Sequence, residues 1–475
     1  MTTDFIPQIY KQKLALLTDL YQMTMAYGYW KSGRYDREAV FHLFYRKQPF
    51  GGPLTISCGL QLAVEYLRDL SFDTEDVHYL AQLRGNDDRP LFDESFLNYL
   101  QRFRFQCDVD AIPEGTVVFP SEPLLRVKGP LLQAQLVETA LLNLVNFSTL
   151  IATKAARVCE AAAGDTVLDF GLRRAQGVDG SLSASRACYI GGCDATSNLL
   201  AAKTLGIPAR GTHAHSWVMA FDSEQEAFDT YSQTMPNNCI LLVDTYDTTE
   251  GVKNAIRTGR QLQERGHRLG GIRLDSGDLA RLSIEARALL DEADMRDARI
   301  FASDSLDEHA IRELKERGAR IDGWGVGTQM ITGADQVSLG GVYKLAAIQD
   351  ENGKWQQRVK LSENPIKTSI PGIQQVRRAF TDGQPSGDVI YNLLDNGQES
   401  LSEGEDLLVP IFRKGQQVYE LPSIHDIRRR TKSQLHSFRT LASQNYALSL
   451  SPSLEASRNA LIEAHQLNVL NESKS

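Results

Sequence analysis

The chain has 475 residues, 42% hydrophobic and 23% charged, with 51 Lys and Arg against 60 Asp and Glu. That length suffices for two or three domains around a large core, and the composition excludes overall disorder and collagen-like repeats. The net charge of −9 argues against a global nucleic-acid footprint and against adhesion to acidic membranes.

The opening MTTDFIPQIYKQK has no apolar stretch behind a basic start, so no secretory signal is expected. LLTDLYQMTMAYGYW, from Leu16 to Trp30, predicts a helix opened by Thr18 and Asp19. Alternation over Ala39–Lys47 predicts a strand, PFGGPLTI a turn, and Ile112–Pro130 a group of short strands separated by Gly and Pro. Leu131–Ala163 predicts a long helical run ended by Gly164; Gln133, Gln135, Glu138, Asn143 and Asn146 make it a buried helix rather than a membrane span. Six cysteines are scattered without a CxxC pair, which fits reduced thiols in a cytoplasmic protein.

From residue 166 the chain becomes rhythmic. Strands are predicted at 166–171, 187–192, 239–246, 269–277, 299–305 and 320–328. Between several of them lie amphipathic helices. One carries Val252, Ile256, Gly259 and Leu262 and stops at Gly266; another carries Leu279, Leu282, Ala286 and Leu289. A third follows Ser303-Asp304-Ser305, carries Ala310, Ile311 and Leu314, and stops at Gly318. Successive strand ends lie 24 to 31 residues apart, the length of a βα unit, which requires a parallel sheet. Polar residues gather at those ends: Asp169, His213, His215, Asp244, Arg273, Asp275, Ser303, Asp304, Gly327 and Thr328. In β/α barrels such ends share the rim where active sites are built. Asp278 and Asp304 fit equally well as helix N-caps. Farther on, Pro410–Arg430 predicts a strand, a turn and a helix start, with Arg428, Arg429 and Arg430 on a solvated face; Lys432–Ser475 predicts terminal helices.

Four segments carry candidate chemistry. RGTHAHSW places His213 and His215 two apart, facing the same way if the segment is a strand. A metal pair and a nucleophilic or charge-bearing histidine are both open. His267 and His309, the only later histidines in this region, fall in loop or helix patterns and weigh against the metal. GIRLDSGDL offers the fork of Arg273 to a carboxylate or phosphate and places Asp275, with Asp278 nearby, where Mg²⁺ could be held. GWGVGT and SLGGVYK are glycine clusters that let backbone N–H groups approach an anion. DFGLRRAQG brings Phe170, Arg173 and Arg174 to a strand end. Together they describe an anion-rich, metal-assisted site for a flat ligand, and phosphoryl or phosphoribosyl transfer is the natural class.

Read in order, LLTDLYQMTMAYGYW, DFGLRRAQG, GGCDATSN, GTHAHSW, VDTYDTTEG, IRLDSGDL, GWGVGTQM and SLGGVYKL resemble the nicotinate phosphoribosyltransferase family over residues 14–345, and KLSENPIKTSIPG extends the likeness to 372. The resemblance implies the α/β fold of type II phosphoribosyltransferases, an irregular β/α barrel with an α/β sandwich domain. Residues 1–130 and 346–430 would build the sandwich, 131–345 the barrel and 431–475 a C-terminal helical tail. It implies conversion of nicotinate, phosphoribosyl pyrophosphate and ATP to nicotinate mononucleotide, pyrophosphate, ADP and phosphate with Mg²⁺, the entry of nicotinate into NAD salvage. The enzyme would be a cytoplasmic homodimer with a shared active site, without nucleic-acid or membrane partners. His215 matches the histidine that ATP phosphorylates and, with Asp244 and Asp275, the catalytic positions; Asp275 would hold Mg²⁺ directly or through water. Tyr21, from the other subunit, and Phe170 match the pair that sandwiches the pyridine ring. Thr212 and Arg273 match nicotinate contacts, and Asp19 and Arg173 fall on further site positions. Gly327, Thr328, Gly340 and Gly341 match the loops around the 5-phosphate. Two residues depart from the pattern. His213 fills a slot that is often apolar, so its protonation is expected to couple to His215, and Gln329 stands where a small hydroxyl residue is common. TDLYQ and GTHAHS favour the nicotinate branch over the nicotinamide one, and the chain length argues against a quinolinate enzyme.

Overall fold

The computed structural model describes residues 13–362, 364, 368–395, 403–439 and 446–472. The opening of the chain and four positions of KLSENPIKTSIPG (363 and 365–367) lie outside the described residues. The chain folds as two units: Met1–Thr149, Ser338–Ser423 and Arg429–Ser475 form one, Leu150–Val337 with Ile424–Arg428 the other.

The first unit is built on a seven-stranded antiparallel sheet ordered Trp355–Gln357, Gly341–Gln349, Glu38–Tyr45, Leu125–Pro130, Asp108–Ala111, Val409–Arg413, Gln416–Gln417. Its third strand, Glu38–Tyr45, is buried from Ala39 onward, on both faces. The one polar side chain within that run, His42, is accommodated because its Nε2 accepts the Gln374 N–H at 3.2 Å. A second, four-stranded sheet contains Gly404–Asp406, Gln374–Thr381, Gln384–Asn392 and Ala447–Leu450, the last parallel to its neighbour. This strand corrects the all-helical reading of the tail. Helices follow at Ile424–Arg439 and Pro452–Glu472. Of the arginine run only Arg429 lies on an exposed face. Arg428 pairs with Asp194 at 2.7 Å and donates to the Gly192 and Cys193 carbonyls, and Arg430 donates to the Glu114 carbonyl.

The second unit holds six parallel strands, labelled here in chain order: β1 (Thr166–Asp169), β2 (Ala195–Thr196), β3 (Ile240–Leu242), β4 (Gly271–Leu274), β5 (Arg299–Ser303) and β6 (Gly323–Val326). They pair in the order β2-β1-β6-β5-β4-β3. Helices alternate with them: α1 (Gly177–Gly191), α2 (Leu199–Leu205), α3 (His215–Met219), α4 (Glu224–Thr234), α5 (Thr248–Glu264), α6 (Leu279–Glu292), α7 (Glu308–Glu316) and α8 (Thr328–Ile331). This is the β/α arrangement expected, and its irregularity lies between β2 and β3. There the segment 208–213 stands in place of a regular strand, joined to β2 by Thr196 N–H to Pro208 and Arg210 N–H to the Thr196 carbonyl, both 3.0 Å.

The apolar rhythm placed α5 and α6 correctly, and Asp247 and Asp278 cap them. The stops at Gly266 and Gly318 have φ of +79° and +77°, which glycine adopts without strain. Three expectations fail. The apolar run 187–192 is the last turn of α1 and its cap, not a strand. The predicted run 131–163 is two helices, Leu131–Leu136 and Glu138–Ala162. The cap of α7 is Asp307, which accepts from His309 and Ala310, not the Ser303–Ser305 turn.

Candidate active site

At the carboxyl ends of the parallel strands the polar residues meet. Arg273, on β4, lies in the middle. Its Nε donates to Ser303 Oγ at 2.8 Å, its Nη1 to Thr212 Oγ1 at 2.8 Å and His213 O at 3.4 Å, and its Nη2 to Asp275 Oδ1 at 3.1 Å. These contacts use four of its five N–H groups and lock the plane of the guanidinium. Its Cζ lies 5.6 Å from the centroid of the Phe170 ring, which follows β1. A cavity of about 430 Å³ reaches this pair from the amino ends of the strands, lined also by Thr166, Asn238, Gly270, Arg299 and Gly325; His215, Asp244 and Asp275 are not among its lining residues. A larger recess of about 920 Å³ in the other unit, over Leu62, Tyr66 and Phe72, holds none of the candidate residues.

Glycine on β6 has a different task from the one its pattern suggested. A Cβ at Gly325 would lie 2.6 Å from Cδ2 and Cε2 of Phe170, and one at Gly323 would run into the Phe301 ring. The alternating glycines make room for aromatic rings on one side of β6. Gly327 caps α8, and Thr328 is the first residue of that helix.

Asp275 follows β4 by one residue. Its Oδ1 accepts from Ser303 as well as from Arg273. Burial pushes its carboxyl upward, but Ser303, Arg273 and His215 outweigh burial and hold it below the usual aspartate range. Asp244, at the end of β3, is buried; its Oδ2 accepts the Asp275 N–H at 2.8 Å and the Ser276 hydroxyl at 2.6 Å. Its Oδ1 is buried without a hydrogen-bond partner among the described residues. His215 opens α3 and points at both acids, Nε2 lying 3.5 Å from Asp275 Oδ2 and 3.9 Å from Asp244 Oδ1. Its Nδ1 is 3.1 Å from Thr245 Oγ1. His215 therefore shares one site with Asp275, Arg273 and Phe170.

The two histidines of RGTHAHSW do not face the same way. His213 lies in irregular backbone, and its Nε2 accepts the Leu242 N–H at 3.2 Å. A converging metal pair is excluded by this divergence. Burial holds His213 down to about 4, with the charges of Arg273 and His215 in the same direction. A value that low favours the neutral imidazole near pH 7, and the His215 charge is one of the causes that hold it down.

Asp278 is also taken out of the metal question. It caps α6 and receives Arg317 at 2.7 and 2.8 Å. Asp169 organises the strand ends: its carboxylate accepts from Ser185, Thr196 and the Gly171 N–H at 2.7 to 2.9 Å. Arg173, in the turn after β1, is exposed.

Asp19, Tyr21, Gly340 and Gly341 belong to the first unit. Asp19 precedes the helix Leu20–Lys31 and accepts from Thr139 at 2.9 Å, and Tyr21 is half exposed. Gly340 has φ +72°, and a Cβ on Gly341 would collide with the Asn146 amide. Sequence reasoning missed a cationic group in this unit. The register pairs Tyr45 with Gly341, so Arg46 emerges beside the glycine pair. Arg46 Nε is buried without a hydrogen-bond partner among the described residues. Lys344 is pushed down by burial and, against Glu138, by the charges of Arg46 and Lys360. Three cations close enough to perturb one another make this place a candidate for an anion; about 300 residues separate Arg46 from the lysines, so no local signal could show it.

Comparison with known proteins gives the family. Residues 16–146, 166–384 and 398–458 match the nicotinate phosphoribosyltransferase (NAPRTase) N-terminal domain, the NAPRTase family and its C-terminal domain. The chain is 44% identical over 443 residues to a nicotinate phosphoribosyltransferase of Bacillus subtilis, covering 89% of each chain. It is 37% identical over 432 residues to the enzyme of that name from Homo sapiens, covering 79% of each. The crystal structure of human nicotinic acid phosphoribosyltransferase superposes with a TM-score of 0.80 at 32% identity, covering 94% of this chain and 99% of that one. The chain belongs to the nicotinate phosphoribosyltransferase family.

Proposed function

We propose that this chain forms nicotinate mononucleotide and pyrophosphate from nicotinate and phosphoribosyl pyrophosphate in NAD salvage, and that ATP hydrolysis is coupled to the transfer through phosphorylation of His215. The observation that carries the reading is the placement of Phe170, Arg273, Thr212, His215, Asp244 and Asp275 around one barrel rim in a member of this family. In this reading nicotinate lies flat on Phe170, and Arg273 with Thr212 receives its carboxylate. Arg273 has one N–H to spare, and the Thr212 hydroxyl, which accepts from Arg273 and donates to the His213 carbonyl at 3.2 Å, would turn its proton to the carboxylate as the second donor. The pyridine nitrogen carries a free lone pair at neutral pH and needs no general base. The difficult step is departure of pyrophosphate from C1′, which leaves positive charge on the sugar. Asp244 and Asp275 are placed to stabilise that charge.

The orphaned, buried Oδ1 of Asp244 and the Oδ2 of Asp275 are hard oxygen donors, and no group of three or more metal-ligating side chains converges among the described residues. Two carboxylates fit a magnesium ion that arrives with a polyphosphate and keeps its phosphate and water ligands. Such an ion supplies charge neutralisation at the leaving group. In the first unit, Arg46, Lys344 and Lys360, with Gly340 and Gly341, would receive phosphate groups, and Tyr21 and Asp19 would complete a site shared between two subunits. Gly327, Thr328 and Arg173 are assigned to the phosphoribosyl donor on the same reading. Within His215, Nδ1 faces Thr245, so Nε2 is the nitrogen assigned to the phosphoryl group, whose charge would then act on the two acids.

The test is incubation of the purified protein with nicotinate, phosphoribosyl pyrophosphate, Mg²⁺ and ATP, with chromatographic separation of nucleotides. Nicotinate mononucleotide and ADP should appear together. Absence of the mononucleotide with wild-type protein would overturn the reading, and its formation without any effect of ATP would remove the coupling.

A further inference from the structure

In parallel strands the N–H groups of successive residues point to opposite neighbours. On β3 the next N–H, that of Val243, bonds the Arg273 carbonyl of β4 at 3.2 Å. The Leu242 N–H therefore points the other way, into the gap between β3 and β2, where no strand pairs with it. A buried N–H left there without an acceptor would be destabilising. The group that meets it is not a carbonyl but His213 Nε2, at 3.2 Å.

We infer that His213 is a positioning residue of the barrel: its imidazole takes the part of a missing strand carbonyl, accepting the Leu242 N–H and thereby fixing Thr212 and His215 against Asp244 and Arg273. Four observations support this. The His213 side chain is buried, and its ring packs edge-on against Tyr231 with centroids 4.8 Å apart. Its Nδ1 lies 3.3 Å from the Ala214 carbonyl, which fixes the tautomer with the proton on Nδ1 and the lone pair on Nε2. The His213 carbonyl and the Thr212 hydroxyl both accept from Arg273, so the segment is held between β3 and β4 at once. The same device recurs in the other unit, where buried His42 accepts the Gln374 N–H through Nε2. Two residues beyond Leu242 stands Asp244, and two beyond His213 stands His215, so the one bond sets the reach between them.

The inference rests on the proposed reaction for its kinetic readout, but its structural readout is independent of it. The variants are His213→Leu, which keeps bulk without an acceptor, and His213→Gln, whose amide oxygen can replace Nε2. Hydrogen–deuterium exchange of the peptide 239–246 should be faster in the Leu variant and unchanged in the Gln variant. For nicotinate, kcat/KM should fall on the order of 10- to 100-fold in the Leu variant through misplacement of the site, with ATP hydrolysed without matching product, and return to within a few fold in the Gln variant. The pH–rate profiles of wild type and the Gln variant should superimpose between roughly pH 6 and 8, because no proton on His213 is used. Unchanged exchange in a folded Leu variant, or equal loss of activity in both variants, would overturn the inference. If the Leu variant does not fold, the Gln variant decides alone: normal exchange and turnover support it, loss of either overturns it. Lack of turnover by the wild type would instead strike the proposed reaction and leave the exchange test intact.

Discussion

At the scale of single residues, the site is governed by which hydrogen-bonding groups are already occupied. Arg273 is fixed by Ser303, Thr212 and Asp275 before any ligand arrives, so its truncation removes a preorganised donor. Arg273→Ala should lower kcat/KM for nicotinate on the order of 10²–10³-fold, and the loss should be smaller with nicotinamide, which lacks the carboxylate. Steady-state kinetics with both acceptors check this, and equal losses would remove Arg273 from carboxylate recognition. His215→Ala should abolish nicotinate-dependent ADP formation, measured by a coupled ADP assay; full ATP coupling in that variant would rule out the phosphohistidine. Most of these residues were legible in the sequence because chemistry-bearing side chains at strand ends are unusual. The orientation of His213 was not. A periodicity argument assumes a regular strand, and the segment that carries it is irregular. Arg428 and Arg430 misled for a related reason: a charged triplet looks solvated until distant carbonyls and Asp194 come to meet it.

Among the elements, β6 shows why glycine patterns are ambiguous. Gly325 is read from sequence as part of an anion cradle, yet in the fold it admits the Phe170 ring. Gly325→Ala should therefore displace Phe170. Overpacking of about 1–3 kcal/mol should lower Tm by several degrees and raise the KM for nicotinate several-fold or more, as calorimetry and kinetics can establish. An unchanged KM would separate Phe170 from the nicotinate pocket. Helices with clear caps and apolar stripes were legible, as at α5 and α6. The run 187–192 was not, because a short apolar stretch reads equally as strand or buried helix, and here it closes a helix of fifteen residues.

For the whole molecule, the parallel unit was readable because βα units repeat locally, whereas the sandwich unit draws on segments hundreds of residues apart. Its interior holds an unusual cluster. Buried Glu122 lies beside Asp388, which receives Arg378 at 2.9 and 2.6 Å and the Tyr446 hydroxyl at 2.7 Å. Burial first, and then the Asp388 charge, push the Glu122 carboxyl well above its usual range, with Arg378 opposing. An acid with a raised folded-state pKa contributes its full stability below the ordinary glutamate range and loses it as pH rises towards the raised value. Glu122→Gln, neutral at every pH, should therefore gain thermal stability relative to wild type on going from about pH 5 to about pH 8. A constant difference in Tm across that range would show that Glu122 does not titrate in this way.

Both units of the molecule serve one proposed reaction. Pyrophosphate release should be measured for the purified protein with nicotinate, nicotinamide and quinolinate, each with and without ATP. The account predicts release with nicotinate, stimulated by ATP, and little with the other two acceptors. Release that prefers nicotinamide or quinolinate, or none with any acceptor, would contradict it.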